Sequence, residues 1–260
     1  MPKERKETFN EISKEYERIR PTYPRELFDD IVEYSGIKED SKILEIGCGT
    51  GKATQGFVNL GYKNITCIEL GSELAKLTKE KFRKEKTINV CNTSFEEWSN
   101  GEDCFDLAIA ATSFHFIDPK IGYPKVSDLL SKKGSIAFFW AVHVQSYDNI
   151  YSDIRKLYNK YAPDLDDSKM STPEETINYT KNIILKFNLF EDLIIKKYKW
   201  NQIYTAEEYI TLINTHSKHR LLTDDERMLL FDGITNVINK HGGKIEKQHL
   251  VALYLARKNN

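Results

Sequence analysis

The chain has 260 residues, 38 of them Lys or Arg and 39 Asp or Glu, for a formal net charge of -1. With 40% hydrophobic and 12% aromatic residues it can bury a real core, which excludes a disordered or collagen-like polymer, and its charge balance gives no global field toward a polyanion. The longest apolar run, Ile136 to Val142, is strand-sized, and the mixed acids and bases of residues 1–20 lack the apolar segment of a secretion signal. A cytoplasmic protein without membrane or nucleic-acid partners is therefore expected. Cys48, Cys67, Cys91 and Cys104 form no C-x-x-C pair, so they read as reduced thiols.

From residue 24 to about 142, helical and strand patterns alternate, which is the mark of a parallel sheet covered by helices. Pro24 and Gly36 bracket a helix with Leu27, Phe28, Ile31 and Val32 on one face. A short strand then runs into the glycines of Leu44-Glu45-Ile46-Gly47-Cys48-Gly49-Thr50-Gly51. Residues 53–60 read as a helix, 64–70 as a second strand, 72–84 as a helix with Ser72 as N-cap, and 87–91 as a third strand. Phe105 to Ala111 is a fourth strand, buried on both faces by its near-continuous apolar run. A helix near 119–131 precedes a fifth strand, 135–142. After Val142 the rhythm breaks. Helices are expected near 150–161, 173–187, 205–215 and 223–240, with a sixth strand over 192–204 and a last one over 248–257. The construction is a doubly wound α/β sheet of five parallel strands plus a terminal pair. Segments 143–172 and 204–246 form a helical cap.

The glycine stretch carries the chemistry. Glycines between a buried strand and a helix let the backbone turn sharply and approach a ligand closely. A P-loop fails because three residues, not four, separate Gly47 from Gly51 and Ala53 follows Lys52. The dinucleotide pattern would need glycine at position 52 and is weakened. Glu45 near the end of a central apolar strand is costly to desolvate without a partner, which a ligand ammonium or a hydrogen-bonded shell would supply. Glu69, eighteen positions past Gly51 at the end of the second strand, is placed to accept hydrogen bonds from ribose hydroxyls.

With these residues the chain resembles the class I S-adenosylmethionine-dependent methyltransferases. The resemblance implies a Rossmann-like seven-stranded sheet ending in an antiparallel hairpin, with S-adenosylmethionine as cofactor. It implies cofactor contacts from Glu45, Gly47, Cys48, Gly49, Thr50 and Gly51, from Glu69 and Leu70 at the ribose, from Ser94 and Phe95 at the adenine, and from Ala111 and Thr112 at the sulfonium end. A narrower resemblance, to the small-molecule branch that includes trans-aconitate methyltransferase, rests on three segments. They are Phe9 with Tyr16, Arg20 and Pro21-Thr22-Tyr23-Pro24, the Ser113 to Pro119 turn, and the C-terminal run from His241. It implies a lid over 1–23, with Arg20 pairing the methionine carboxylate and Tyr16 and Tyr23 closing the site.

Methyl transfer from a sulfonium needs an acceptor held close, aligned and dry; a carboxylate acceptor needs no base, whereas a phenol or protonated amine does. His115 is the candidate base or orienting residue. Tyr23, His115, Trp140 and His143 are the candidate substrate wall. The run His216 to Arg220 reads as a solvated loop that would otherwise suit an anionic substrate, and no metal site is expected. Two other functions compete: a cofactor-binding subunit that has lost catalysis, and a nicotinamide-dependent oxidoreductase.

Overall fold

The computed structural model describes residues 13–99 and 104–259; Phe9 and most of the expected lid lie outside them. Pro24 sits at the N-cap of α2 (Arg25–Ser35) after α1 (Ser13–Ile19), and Gly36 closes α2 at φ 67°, its N–H donating to the Val32 carbonyl. The strands β1 (Ile43–Ile46), β2 (Ile65–Glu69), β3 (Ile88–Asn92) and β4 (Phe105–Ala111) alternate with α3 (Lys52–Asn59), α4 (Ser72–Lys81) and α5 (Pro119–Leu129). Ser72 is not the N-cap of α4. Gly71 takes that position, and its N–H is held by Glu69.

Strand β5 (Leu130–Val142) starts five residues earlier than its apolar pattern, Leu130 pairing with Phe105 before a register shift and Ser135 with Leu107 after it. Then follow α6 (Asn149–Tyr161), α7 (Pro173–Lys186), β6 (Phe190–Thr205), α8 (Ala206–Asn214), the short α9 (Ser217–Arg220), α10 (Asp224–Lys240) and β7 (Lys244–Lys258). Capping boxes at Thr205 with Glu208 and Thr223 with Glu226 fix where α8 and α10 begin.

The strands form one seven-stranded sheet in the order β3-β2-β1-β4-β5-β7-β6. The first five are parallel, with Glu45 opposite Cys67 and Ile109, and Glu69 opposite Asn92; β6 and β7 make the antiparallel C-terminal hairpin. Strand order reverses between β1 and β4, the place where open α/β sheets bind ligands at their carboxyl ends.

The chain divides into two compact units. The sheet unit holds 21–141, 177–198 and 251–260; its core includes Leu44, Ile46, Leu107, Phe138 and Phe139, all at most 1% exposed. Burying each such side chain contributes about 1.5–3 kcal/mol. The helical unit holds 1–20, 142–176 and 199–250, around Ile154, Tyr204, Leu212, Leu230, Ile234 and Ile245.

Candidate functional site

The three loop glycines all have positive φ, at 70° for Gly47, 58° for Gly49 and 73° for Gly51. Their surroundings separate their roles. A Cβ on Gly47 would lie 2.5 Å from Ser113 Cβ, and one on Gly51 2.6 Å from the Phe82 ring, whereas one on Gly49 would meet nothing within 4 Å. Gly47 and Gly51 are thus required by packing, and Gly49 presents open backbone to whatever the loop binds. The loop is held from below by Gly47 and Cys48 N–H groups donating to the Ile68 carbonyl at 2.8 and 3.1 Å, and from the side by Thr78 Oγ1 donating to the Gly49 carbonyl at 2.7 Å. Thr50 is buried and Lys81 Nζ donates to its carbonyl at 3.3 Å. The Cys48 thiol is pushed up by its Cys67 neighbour and by burial, so it is a packed, protonated thiol.

Glu69 ties the loop to the end of β2. Its Oε2 accepts from Gly49 N at 2.8 Å and its Oε1 from Gly71 N at 2.7 Å. Burial raises its pKa, and the N–H groups of Gly71, Gly49 and Leu70 oppose the rise. Each carboxylate oxygen keeps a further lone pair, the capacity a pair of ribose hydroxyls would use. Leu70 beside it is 45% exposed, an apolar shelf at the mouth of the loop.

Glu45 has one bond of the hydrogen-bonded shell expected around it, without the ionised form that expectation assumed. It is fully buried, Thr54 Oγ1 donates to its Oε2 at 2.6 Å, and Oε1 has no partner. Burial lifts its carboxyl to about 8, so at neutral pH it is mostly an uncharged acid beneath the loop.

At the carboxyl end of β4, Thr112 adopts φ 59°, a conformation that costs a non-glycine residue about 1–2 kcal/mol and clusters at functional sites. It is pinned by its N–H to the Phe139 carbonyl at 2.8 Å and by Ala141 N donating to its Oγ1 at 3.3 Å. Ala111, just before it, is half-buried. Tyr23 OH lies 3.4 Å from Thr112 Oγ1, and its ring packs edge-on to Phe139 at 4.8 Å. His115 sits in the 3-10 turn Phe114–Phe116, where Trp140 Nε1 donates to its Nδ1 at 3.2 Å. Because indole only donates, Nδ1 is the acceptor and Nε2 carries the proton. His115 is therefore arranged as a hydrogen-bond donor rather than a base.

Ser94 and Phe95, expected at the adenine, lie in the turn after β3. Ser94 Oγ accepts from Glu97 N at 3.2 Å, and the Phe95 ring is 4% exposed, under Lys125 at 5.1 Å. What this turn offers a ligand is main chain.

In the helical unit, Arg20 is tied to Thr215, with Nε donating to Oγ1 at 2.7 Å and Nη2 to the carbonyl at 3.0 Å, and it stands over the Tyr16 ring at 5.2 Å. His143, expected beside Trp140, belongs to this unit and pairs with Asp167 at 3.1 Å. The run 216–220 is not a solvated loop. It contains α9, with Ser217 and His219 only 6% and 8% exposed, because one helical turn rolls His219 onto Tyr158 OH at 2.8 Å. The sequence reading missed Trp200, Tyr204 and His249, in which Tyr204 OH lies 2.9 Å from His249 Nε2 and the indole stacks on the same imidazole. Period-2 alternation along β6 and β7 was the available signal. Among the described residues no group of three His, Cys, Asp or Glu could hold a metal ion, and no helix is long and apolar enough to cross a membrane.

Comparison with known proteins bears on the fold. The family profile of ribosomal RNA adenine dimethylases matches residues 24–149. The Saccharomyces cerevisiae protein CRG1, named a probable S-adenosylmethionine-dependent methyltransferase, is 28% identical over 166 residues, 62% of this chain and 56% of that one. The match thus spans little more than half of that relative's length. An uncharacterized methyltransferase-like protein of Schizosaccharomyces pombe is 25% identical over 222 residues, 85% of this chain and 81% of its own. The solved structure of Haemonchus contortus phosphoethanolamine N-methyltransferase 2, with phosphomonomethylethanolamine and S-adenosylhomocysteine, has a TM-score of 0.59 at 13% identity, covering 99% of this chain and 61% of that one. The chain has the class I S-adenosylmethionine-dependent methyltransferase fold, and S-adenosylmethionine is the cofactor of that class.

Proposed function

We propose that this protein is an S-adenosylmethionine-dependent methyltransferase acting in the cytoplasm on a small-molecule carboxylate, in the branch that resembles trans-aconitate methyltransferase. The fit of the cofactor rests on three features of the sheet unit: the open face of Gly49, the lone pairs left on Glu69, and the exposed Leu70. In this reading the Gly47–Gly51 backbone and Glu69 hold the nucleoside, Leu70 and the main chain at Ser94 and Phe95 border the adenine, and Ala111 and Thr112 border the reacting end. Bound S-adenosylmethionine supplies a methyl group already activated on a cationic sulfur. The chain's own residues then have to bind, orient and exclude water.

One observation carries the choice of acceptor, namely the hydrogen bond from Trp140 to His115 Nδ1. It puts the His115 proton on Nε2 and occupies Nδ1, so the ring offers no acceptor nitrogen for removing a proton. A carboxylate oxygen is already nucleophilic at neutral pH. Forming its bond to the methyl carbon as the carbon–sulfur bond breaks releases a methyl ester and S-adenosylhomocysteine, with no proton to dispose of.

An RNA adenine acceptor is favoured by one observation, the family profile over 24–149. That span ends at the first residue of α6 and omits most of the helical unit. The two readings separate in a screen of S-adenosylhomocysteine release with carboxylates, phenols, amines and adenine-containing RNA. Turnover with carboxylates, giving base-labile products, is expected. Turnover confined to RNA, amines or phenols overturns the carboxylate reading. Tight cofactor binding without product from any acceptor supports a silent partner subunit, and calorimetric binding of NAD(H) alone removes the methyltransferase assignment.

A further inference from the structure

One lysine of the sheet unit is bound to main chain rather than to an acid. Lys125 lies in α5, and its Nζ donates to the carbonyls of Phe95 at 2.7 Å, Glu96 at 3.0 Å and Trp98. An ammonium has three donors, so these bonds use all of them. The same group stands over the Phe95 ring at 5.1 Å. Among the described residues Lys125 makes no ion pair. Charge-assisted bonds to three carbonyls of one short turn fix that turn more firmly than neutral bonds would.

The turn that it grips stands beside the end of β2. Asn92 Nδ2 donates to the carbonyls of Glu69 at 2.9 Å and Leu70 at 3.0 Å, and Thr93 N–H donates to the Glu69 carbonyl at 3.0 Å. Phe95 and Trp98 anchor the turn in apolar surroundings, 6.4 Å from the Phe114 ring and 6.2 Å from the Phe105 ring. Its donors are left over. Among the described residues the N–H groups of Ser94, Phe95 and Glu96 make no hydrogen bond. A trans peptide sets its N–H opposite its carbonyl, so the grip on the Phe95 carbonyl turns the Glu96 N–H away from Lys125. The bond from Trp98 N–H to the Ser94 carbonyl, at 3.0 Å, directs the Phe95 N–H in the same manner.

We infer that Lys125 is a positioning residue for base recognition: by holding the Phe95, Glu96 and Trp98 carbonyls it fixes the free N–H groups of this turn where they read the acceptor edge of adenine. The inference rests on the S-adenosylmethionine reading, in which Glu69 takes the ribose. A base carried on that ribose reaches the turn that Asn92 and Thr93 tie to Glu69 and Leu70. Fixed N–H donors suit adenine, whose N1 is an acceptor, and oppose hypoxanthine, whose N1 carries a hydrogen. Main-chain donors keep their aim only while the turn is held, so release of the carbonyls costs base discrimination first.

Calorimetry of the full chain with S-adenosylhomocysteine and with S-inosylhomocysteine, its hypoxanthine analogue, measures the discrimination directly. The wild type is expected to prefer the adenine compound at least about tenfold. Lys125→Met is expected to weaken S-adenosylhomocysteine about tenfold while S-inosylhomocysteine changes less than about threefold, so that the preference collapses. Lys258 Nζ also donates to a main-chain carbonyl, that of Leu130 at 2.9 Å, and Lys258→Met serves as the control that should leave the preference intact. Lys125→Gln repeats the test if the Met variant does not fold. The inference is overturned if the wild type binds the two compounds equally or if the Lys125 variant keeps the preference. Parallel loss of both affinities overturns it as well, by leaving Lys125 a structural role alone, and so does an equal collapse in the Lys258 control. A wild type that binds neither compound removes the methyltransferase reading, and the inference falls with it; every other adverse outcome removes the inference and leaves that reading standing.

Discussion

Replacing Glu45 by glutamine removes a fully desolvated acid while keeping its shape and the bond from Thr54. Burial lifts this carboxyl from 4.5 to about 8. An acid whose folded-state pKa exceeds its unfolded value binds more protons when folded, so stability is highest below pH 4.5 and falls as pH rises toward 8. At 1.36 kcal/mol per pH unit, the loss is about 3 kcal/mol at pH 7 and about 5 kcal/mol above pH 8. Glutamine does not titrate. The Glu45→Gln protein should therefore match wild type within about 1 kcal/mol near pH 5 and exceed it by about 3 kcal/mol at pH 7 and about 5 kcal/mol at pH 9. Urea unfolding of both proteins at these pH values, followed by circular dichroism with equal m-values, measures the difference directly. Taking the difference at each pH cancels the distant titrating groups. A stability difference that stays constant from pH 5 to 9 would refute the reasoning, because it would mean that Glu45 is ionised throughout.

Glu69→Ala should weaken S-adenosylhomocysteine binding by about 1–3 kcal/mol, since ribose hydroxyls lose a charged acceptor and the Gly49 and Gly71 N–H groups lose theirs; unchanged calorimetric affinity in a folded variant counts against the role. Gly49→Ala should cost about 1 kcal/mol of stability for its φ of 58°, yet abolish measurable cofactor binding, while Gly51→Ala adds the Phe82 overlap and should lose about 2–4 kcal/mol. Equal melting temperatures for the two would contradict the division of labour between these glycines. Trp140→Phe removes the donor that occupies His115 Nδ1. Cofactor affinity should hold while the pH–rate profile gains a limb that the wild type lacks, and an unaltered profile would deny the Trp140–His115 pairing any part in turnover.

The sheet and its glycine loop were legible because each signal is local. Strand-to-glycine-to-helix spacing fixes the turn, and the apolar runs of 43–46 and 105–111 read as buried strands whatever surrounds them. Glu69 followed from its distance to the loop. The protonation of Glu45 was not legible, since it depends on total burial and on Thr54, a partner nine positions away. His216 and His219 looked like solvated charge because α9 has four residues, too few for a helical pattern. His249, Trp200 and Tyr204 come from two strands whose pairing partners no local pattern names. The pairing of Trp140 with His115 likewise spans twenty-five positions.

The contact between Gly47 and Ser113 links two stretches that sequence comparison would treat as separate motifs. Ser113 Oγ donates to the Ile46 carbonyl, and its Cβ fills the space a larger residue at 47 would need. Position 47 can therefore accept a side chain only if position 113 surrenders volume. Among related chains, alanine at the first place of the glycine loop should be found together with glycine after the fourth strand, and rarely without it.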